Sequence, residues 1–301
     1  MKEEQDSGGS PFRMNRRIWF IIAVIVVVGV VFVALYASRA WGWLKARLAG
    51  PLPLSSEPIE TDGSYTNLIF LHHSTGRNLI AQGNVRPLFA EKGYLFWDHD
   101  YNTSGLNGPD GTRTQTSYGI PETTPGTSGG GNTDPEGLAV LFAQPVHDPP
   151  DNAFSRLLQH EVLIFKSCFP NSAIKSAQML EQHKAWYLGM RNTIDQHPDR
   201  VFIFLTSPPL HPKATTPEDA ARARALADWL GSDAFLEGRA NLFVFDFFNL
   251  LADPETNTLR TEYQPAPNSA DSHPNELANR TIGPLFVDFV DQAVETYRAT
   301  R

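Results

Sequence analysis

The sequence is nearly devoid of cysteine: Cys168 is the single one among 301 residues, so no disulfide can form within the chain. Basic residues are also in deficit, because 25 lysines and arginines stand against 33 aspartates and glutamates, for a net charge of −8. Binding of nucleic acid needs a basic surface that neutralises phosphates. This composition therefore argues against nucleic acid as the main partner. It leaves the redox compartment undetermined.

Charge is absent altogether from residues 18–38, "IWFIIAVIVVVGVVFVALYAS". A helix of this length spans roughly 30 Å, the hydrocarbon thickness of a bilayer. Trp19, Tyr36 and Trp41 lie at its ends, where interfacial aromatic residues are expected. The apolar run is longer than that of a cleavable signal peptide. The sequence predicts a single uncleaved transmembrane anchor at 18–38, which follows a polar tail at 1–17.

The remaining boundaries follow from composition. Lysine and arginine residues near a membrane span favour its cytoplasmic side. Their numbers before and after the predicted anchor are nearly equal, and Lys2 gives the N-terminal side only a slight excess. We expect the tail in the cytoplasm and the large domain outside it. Residues 39–64 are predicted to be a juxtamembrane segment and a proline-containing linker, and residues 65–301 one globular domain. The Gly/Thr-rich segment 123–137 is predicted to be a surface loop.

The globular part alternates strand-like and helix-like segments. Short apolar runs with little polar alternation, as in strands buried on both faces of a parallel sheet, occur at 67–72, 94–100, 161–167, 200–207 and 241–248. Helical patterns occur near 78–92, 171–196, 217–231 and 275–298. Thr216 is a candidate N-cap for the third of these helices. The pattern predicts an α/β protein: a three-layer α/β/α sandwich around a five-stranded parallel sheet.

In such folds, sites form beyond the carboxyl ends of the strands. The first strand ends in "HHSTG", which contains Ser74, and the second is followed by a loop that contains Gly105 and Gly108. The third ends in "KSCFPNSAI", which contains Asn171. Shortly before the last helix, the segment "NSADSHPNELAN" contains Asp271 and His273.

This order of serine, glycine, asparagine and a final aspartate–histidine pair resembles the SGNH (GDSL-like) hydrolases, over about residues 65–296. The resemblance implies a flavodoxin-like sheet and ester hydrolysis or acyl transfer without metal or organic cofactor. It implies Ser74 as nucleophile, His273 as general base and Asp271 as the residue that orients the histidine. It also implies an oxyanion hole made by the Ser74 N–H, the Gly105 N–H and the Asn171 side chain, with Gly108 as a less favoured alternative to Gly105.

The chemistry requires such a set in any case. A serine hydroxyl is a weak nucleophile and needs a base within hydrogen-bond reach. The base needs a partner that fixes its tautomer, and the tetrahedral intermediate needs preorganised hydrogen-bond donors. Ser74, at the turn from a strand into a helix, would also lie near the positive end of the helix dipole.

The motifs depart from the family pattern at three places. The usual Gly-Asp-Ser block reads His72-His73-Ser74 here, and the usual Gly-x-Asn-Asp block reads "FPNS", with Ser172 after Asn171. A single residue separates Asp271 from His273 where the family usually has two. A backbone carbonyl could replace Asp271 and leave a Ser–His dyad. The altered first block also keeps open a catalytically inactive domain that binds a glycan or peptide.

Other chemistries are weaker candidates. Cys168 could be the nucleophile with His273 as base, although a lone cysteine after an apolar strand is more often inert. The histidines 72, 73 and 99 with the aspartates 98 and 100 could bind zinc, but no two-histidine helix motif supports this. His73 is expected to line the pocket, and Asp246 to hydrogen-bond a loop.

The sequence therefore predicts a membrane-anchored serine esterase of SGNH type whose domain faces outward. Family analogy favours short-chain esters, such as acetyl groups on a carbohydrate. The alternatives are an O-acyltransferase that uses the same site and an inactive glycan-binding domain.

Overall fold

The structure, a computed structural model, describes residues 52–121, 133–266 and 269–301. The predicted tail and the predicted anchor at 18–38 lie outside the described residues, as does most of the Gly/Thr-rich segment. Within the described ranges, no helix has the length and apolar character needed to cross a bilayer.

Six strands form one sheet in the order β3-β2-β1-β4-β5-β6. Their bounds are Asn67–Leu71 (β1), Leu95–His99 (β2), Leu106–Asn107 (β3), Val162–Lys166 (β4), Val201–Leu205 (β5) and Leu242–Phe245 (β6). All neighbours are parallel except β2 and β3, which are antiparallel. The five parallel strands are the five predicted ones. The two-residue strand β3 is an addition that the sequence analysis missed.

Nine helices of the described residues surround this sheet. Their bounds are Ser74–Gln82 (α1), Val85–Glu91 (α2), Pro135–Phe142 (α3), Ala153–Leu157 (α4), Ala177–Ile194 (α5), Pro217–Leu230 (α6), Asp233–Leu236 (α7), Phe247–Leu251 (α8) and Glu276–Arg298 (α9). Short 3-10 turns occur at Phe169–Ser172, Pro212–Ala214 and Thr261–Tyr263.

Alternate residues of each central strand enter two separate cores, which makes the fold three-layered. Leu68 and Phe70 of β1 pack with helices α1, α2 and α9, whereas Ile69 and Leu71 pack with α3 to α7. Every residue of β1, β4 and β5 is buried. The strands lack polar alternation because both faces of the sheet are covered.

Helix boundaries differ from the prediction at identifiable residues. The helix predicted at 78–92 is two helices, because Asn84 adopts a left-handed conformation (φ 55°) between them. The helix predicted from 171 begins at Ala177, where the Ser176 side chain accepts a hydrogen bond from Met179 N–H. Thr216 caps α6 as predicted. The predicted loop 123–137 was wrong at its end, since Asp134 caps helix α3.

Part of the predicted linker packs against the domain. Leu54 forms a parallel bridge with Ser117, supported by hydrogen bonds from Ser55 N–H to Ser117 O (2.8 Å) and from Ser117 N–H to Pro53 O (2.9 Å). The Leu54 side chain itself is half exposed. The segment at 53–55 thus lies against the loops that follow β2.

Helices α1 and α9 meet at two glycines. A Cβ atom added to Gly283 of α9 would lie 2.2 Å from Gly83 O, and one added to Gly83 would lie 2.9 Å from Gly283 Cα. Only glycine permits this backbone approach. The helix that begins with Ser74 is thereby docked on the helix that begins just after His273.

Candidate active site

Ser74 is the first residue of α1 and directly follows the turn after β1. His73 precedes the helix in an extended conformation and makes no side-chain cap (φ −125°, ψ −153°). Gly76 lies against His72, because a Cβ atom at Gly76 would be 2.4 Å from His72 Cβ. The turn thus places Ser74 at the amino end of a helix, beside the point where β1 has β2 on one side and β4 on the other.

His273 faces Ser74 from the opposite end of the chain. Its Nε2 atom lies 2.8 Å from Ser74 Oγ, and its Nδ1 atom lies 2.6 Å from Asp271 Oδ1. A carboxylate can only accept, so Nδ1 carries the proton and Nε2 accepts from the serine hydroxyl. The ring of Phe169 packs edge-on against the His273 ring at 4.8 Å between centroids. Ser74, His273 and Asp271 form a continuous hydrogen-bonded chain.

Asp271 is held by its own loop as well as by the histidine ring. Its Oδ1 accepts from the backbone N–H of His273 at 3.0 Å, and its N–H donates to Ser269 Oγ at 2.9 Å. Partial burial opposes ionisation of Asp271, but the hydrogen bonds from His273 keep its pKa below the usual value. Asp271 therefore orients His273 although the spacing between the two residues is short by one.

The structure places the predicted oxyanion donors differently: Asn171 lies near His273, whereas the N–H groups of Gly105 and Gly108 are used within their own loops. Asn171 lies half-buried in the 3-10 turn that follows β4, two residues beyond Phe169, which contacts His273. Gly105 has φ +73°, and its N–H donates to Tyr101 O at 2.7 Å within a tight turn. Gly108 donates to Thr112 O at 2.9 Å in the hairpin beyond β3. The backbone N–H of each glycine is thus already used in a hydrogen bond to another backbone carbonyl.

Two residues that the sequence analysis did not place at the nucleophile contact its neighbours in the chain. The Tyr101 ring stacks on His73, the residue directly before Ser74, at 3.8 Å between ring centroids. The Cys168 thiol lies 3.6 Å from Oγ1 of Thr75, the residue directly after Ser74. Each follows the end of a strand, but neither carries a motif that would mark it in one sequence.

Lys166 is fully buried beneath this group. Its Nζ donates to Thr75 Oγ1 and to Ser167 O (3.0 Å), and it forms no salt bridge with any residue that the structure describes. Burial lowers the pKa of Lys166. Burial also opposes ionisation of Cys168, but Lys166 and the hydrogen bonds from Thr75 hold the thiol pKa below its usual value.

His73 and His72 have different neighbours. His73 is buried, its ring stacks on Tyr101 at 3.8 Å, and its Nδ1 lies 3.0 Å from Thr133 Oγ1. It lies beside the nucleophile, where a pocket residue was predicted. His72 points the other way, with Nδ1 2.9 Å from His73 O and Nε2 3.0 Å from Asp98 Oδ2.

The His72 contacts tie the end of β1 to β2. Its Nδ1 faces a backbone carbonyl oxygen, and its Nε2 faces a carboxylate oxygen of Asp98. Asp98 also accepts from Arg86 and from Asn107 (2.6 Å), and although burial opposes its ionisation, His72 and Arg86 keep its pKa low. Among the described residues, no group of three candidate ligands forms a metal site.

His99 is buried and neutral, because burial lowers its pKa to about 4. Its Nδ1 donates to Asp100 O at 2.7 Å and its Nε2 accepts from Tyr118 N–H at 3.1 Å. Asp100 in turn pairs with Arg77 at 2.6 Å. Asp246 caps α8 by accepting from Asn249 N–H, in line with its predicted structural role.

The site is open to solvent. The side chains of His273 and Asp271 are 29% and 46% exposed, and Ser74 is half-buried. A cleft of about 570 Å³ between residues 212–217 and 253–264 is not lined by any of these three residues. The Asp271 carboxylate and the His273 imidazole are thus accessible to solvent.

Comparison with known proteins yields only distant similarity. No family model and no curated protein matches the sequence. A solved structure of a presumed acylhydrolase from Bacteroides fragilis is 12% identical, with a TM-score of 0.48 over 79% of this chain and 93% of that one. A GDSL-like lipase from Bacteroides thetaiotaomicron is 9% identical, with a TM-score of 0.43 over 84% and 94%.

The periplasmic domain of a lipopolysaccharide acetyltransferase from Salmonella ser. Paratyphi A is 12% identical, with a TM-score of 0.40 over 83% of this chain and 96% of that one. At these identities and TM-scores, the similarities do not determine what this chain does. Its own residues, with Ser74, His273 and Asp271 in hydrogen-bonded sequence, carry the functional interpretation.

Proposed function

We propose that this protein is a serine hydrolase of SGNH type that cleaves carboxylic esters through an acyl-enzyme. The observation that carries the proposal is the 2.8 Å contact between His273 Nε2 and Ser74 Oγ. On the other side of the imidazole, Nδ1 lies 2.6 Å from Asp271 Oδ1. A serine at a helix N-terminus with this partner has both an activated hydroxyl and a favourable field for an anion.

The residues act in two half-reactions. In the first, Ser74 Oγ attacks the ester carbonyl, and its proton passes to His273 Nε2. The tetrahedral intermediate collapses as the ester C–O bond breaks, and His273 gives the proton to the departing alkoxide. In the second, water loses a proton to His273 and attacks the acyl-serine, which restores the Ser74 hydroxyl and releases the acid. Asp271 stabilises the imidazolium in both steps.

For the substrate, we propose a short acyl ester, such as acetate, carried on a carbohydrate. The exposure of the site supports a large acyl carrier, since the Asp271 and His273 side chains stand at the surface. An acyltransferase would use the same first half-reaction and replace water by a sugar hydroxyl. We further propose that residues 18–38 anchor the chain and that the domain faces away from the cytoplasm, on the basis of the uncharged apolar run.

The deciding experiment is labelling of the purified full-length chain with a fluorophosphonate probe, followed by peptide mass mapping. We expect label on Ser74, none in Ser74→Ala and at least a 10³-fold slower reaction in His273→Ala. Ser64→Ala is a matched control, because Ser64 precedes β1 whereas Ser74 follows it. Folded wild-type protein that never takes up the probe would instead support an inactive glycan-binding domain.

A second measurement addresses the substrate. Release of acid from acetyl, butyryl and octanoyl esters of one chromophore is expected to fall with chain length. Acetylated polysaccharide should release acetate. If added free sugar suppresses acetate release and acetylated sugar accumulates, the transferase is the function. Alkaline carbonate washing of membranes tests the anchor, since an integral protein stays in the pellet.

A further inference from the structure

We propose that His72 is a positioning residue for the oxyanion hole, because it holds the peptide group between His73 and Ser74 and with it the Ser74 N–H. This inference rests on the proposed function and concerns the same site. His72 stands where the family pattern has a glycine, which could make no such contact.

The peptide group between His73 and Ser74 links the nucleophile to the strand before it. Its N–H belongs to Ser74 and is an oxyanion donor in the proposed reaction, whereas its carbonyl oxygen belongs to His73. Ser74 is the first residue of α1, and the N–H groups of a first turn have no partner within the helix. Since a peptide group is planar, contacts that hold the carbonyl also set the direction of the N–H.

Two donors hold the His73 carbonyl oxygen. Arg77 N–H donates to it at 2.9 Å and closes the first turn of α1. His72 Nδ1 lies 2.9 Å from the same oxygen. Because a carbonyl oxygen only accepts, Nδ1 carries the proton of this hydrogen bond. The peptide group therefore cannot rotate without the loss of a hydrogen bond.

The His72 ring is fixed on its far side as well. Its Nε2 lies 3.0 Å from Asp98 Oδ2 on β2, and Asp98 is itself held by Asn107 (2.6 Å) and by Arg86. The ring is buried and packs on Phe70 at 5.0 Å between centroids. The imidazole thus joins the neighbouring strand to the peptide group that precedes the nucleophile.

Gly76 provides the space for this ring. A Cβ atom at Gly76 would lie 2.4 Å from His72 Cβ, 2.8 Å from its Cγ and 3.1 Å from its Nδ1. Alanine is ordinarily more stable than glycine inside a helix, so the helix alone does not call for glycine here. The segment "HHSTG" therefore combines a histidine that reaches the next carbonyl with the glycine that accommodates its ring.

The test compares His72→Asn with His72→Gln in the full-length chain. Asparagine places an amide N–H near the position of Nδ1 and keeps the bond to His73 O, whereas glutamine places one near Nε2 and keeps the bond to Asp98. We expect His72→Gln to lower kcat for an acetyl ester about 10- to 100-fold with KM within about twofold, and His72→Asn to retain at least about a third of kcat. Inhibition by a boronic acid, which forms a tetrahedral anion on serine, should weaken in parallel with kcat.

A residue that only ties β1 to β2 would show the opposite order, because the contact with Asp98 is the one that spans the two strands. His160→Asn and His160→Gln are matched controls. That buried ring lies at the other end of β1, with Nδ1 2.6 Å from Asn67 Oδ1. These controls should lose stability without a change in kcat.

Gly76→Ala tests the same contact without a change at His72. Its methyl group would displace the His72 ring, so we expect a loss of kcat like that of His72→Gln. Gly189→Ala in α5 is the control, because a Cβ atom there would have no neighbour within 4 Å. Equal kcat in the two alanine variants would contradict the role given to His72.

The hydrogen bond can also be observed without turnover. His73–Ser74 is the only His–Ser pair in the sequence, so ¹³C at histidine carbonyls and ¹⁵N at serine give one correlated resonance. Loss of a donor reduces the deshielding of a carbonyl carbon. The His73 carbonyl resonance should therefore move upfield in His72→Gln and stay in place in His72→Asn.

Unchanged kcat in His72→Gln would overturn the inference, and so would a larger loss in His72→Asn than in His72→Gln. Wild-type protein without labelling or turnover would instead refute the proposed function itself. In that case the carbonyl resonance would still decide whether His72 donates to His73 O.

Discussion

His273 Nε2 lies 2.8 Å from Ser74 Oγ although the two residues are 199 positions apart in the chain. The strand before Ser74 and the loop before α9 bring them together, and Asp271 completes the chain of hydrogen bonds at 2.6 Å. Among the described residues, the partner of His273 Nδ1 is therefore the Asp271 carboxylate and not a backbone carbonyl.

Asp271→Asn should lower kcat by about 10²- to 10⁴-fold, because an amide no longer fixes the tautomer in which Nε2 accepts a proton. The free energy of unfolding should change little, since Asp271 is half-exposed. Steady-state ester hydrolysis measures the effect, with Asp288→Asn as a control on an exposed carboxylate. Activity within twofold of wild type would show that Ser74 and His273 suffice as a dyad.

Asn171→Ala should lower kcat by about 10²- to 10³-fold if its amide donates to the oxyanion. Asn171 is half-buried beside the His273 partner Phe169, so removal of its amide leaves the main core intact. Asn192→Ala, on the exposed side of α5, is the matched control. Equal rates for both variants would place Asn171 outside the reaction and leave it as a residue of the 3-10 turn.

Stability should fall between about pH 6.5 and pH 4. Burial lowers the pKa of His99 to about 4 and that of His160 to about 3, whereas an unfolded histidine titrates near 6.5. The unfolded chain therefore binds protons that the native chain excludes, so the stabilisation is complete above pH 6.5 and is lost as the pH falls toward the native values. Each such group contributes a slope of about 1.4 kcal/mol per pH unit at most.

Urea unfolding measured at several pH values from 7.5 to 4.5 checks this linkage. His160→Gln should reduce the slope by the contribution of one proton, at some cost to stability from the lost hydrogen bonds with Asn67 (2.6 Å) and Tyr118 (2.8 Å). His147→Gln is the control, because that ring is exposed. Parallel pH profiles for wild type and His160→Gln would contradict a buried neutral histidine.

The five parallel strands could be predicted because their residues are mostly buried on both faces of the sheet, which gives short apolar runs in the sequence. Strand β3 could not, since two residues carry no periodic signal. The break between α1 and α2 depends on the left-handed Asn84, which a helical pattern does not display. The local sequence thus predicts buried strands well, but it predicts very short strands and breaks between helices poorly.

In the candidate site, residues that belong to a recognisable motif could be predicted from the sequence, whereas residues outside any motif could not. Ser74, Asp271 and His273 could be inferred from residue type and order. The stacking of Tyr101 on His73 and the pairing of His72 with Asp98 both depend on which strands become neighbours. The parallel register places Leu71 opposite His99, and only this register explains why "HHS" and "DHD" face each other.

The close approach of Gly83 and Gly283 has a consequence for biosynthesis. Ser74 enters the growing chain early, whereas His273 comes shortly before α9, the helix that packs on α1 at these glycines. A nascent or truncated chain that lacks α9 carries a serine without an aligned histidine. If the proposed function is correct, a product truncated before α9 is therefore expected to be inert toward esters.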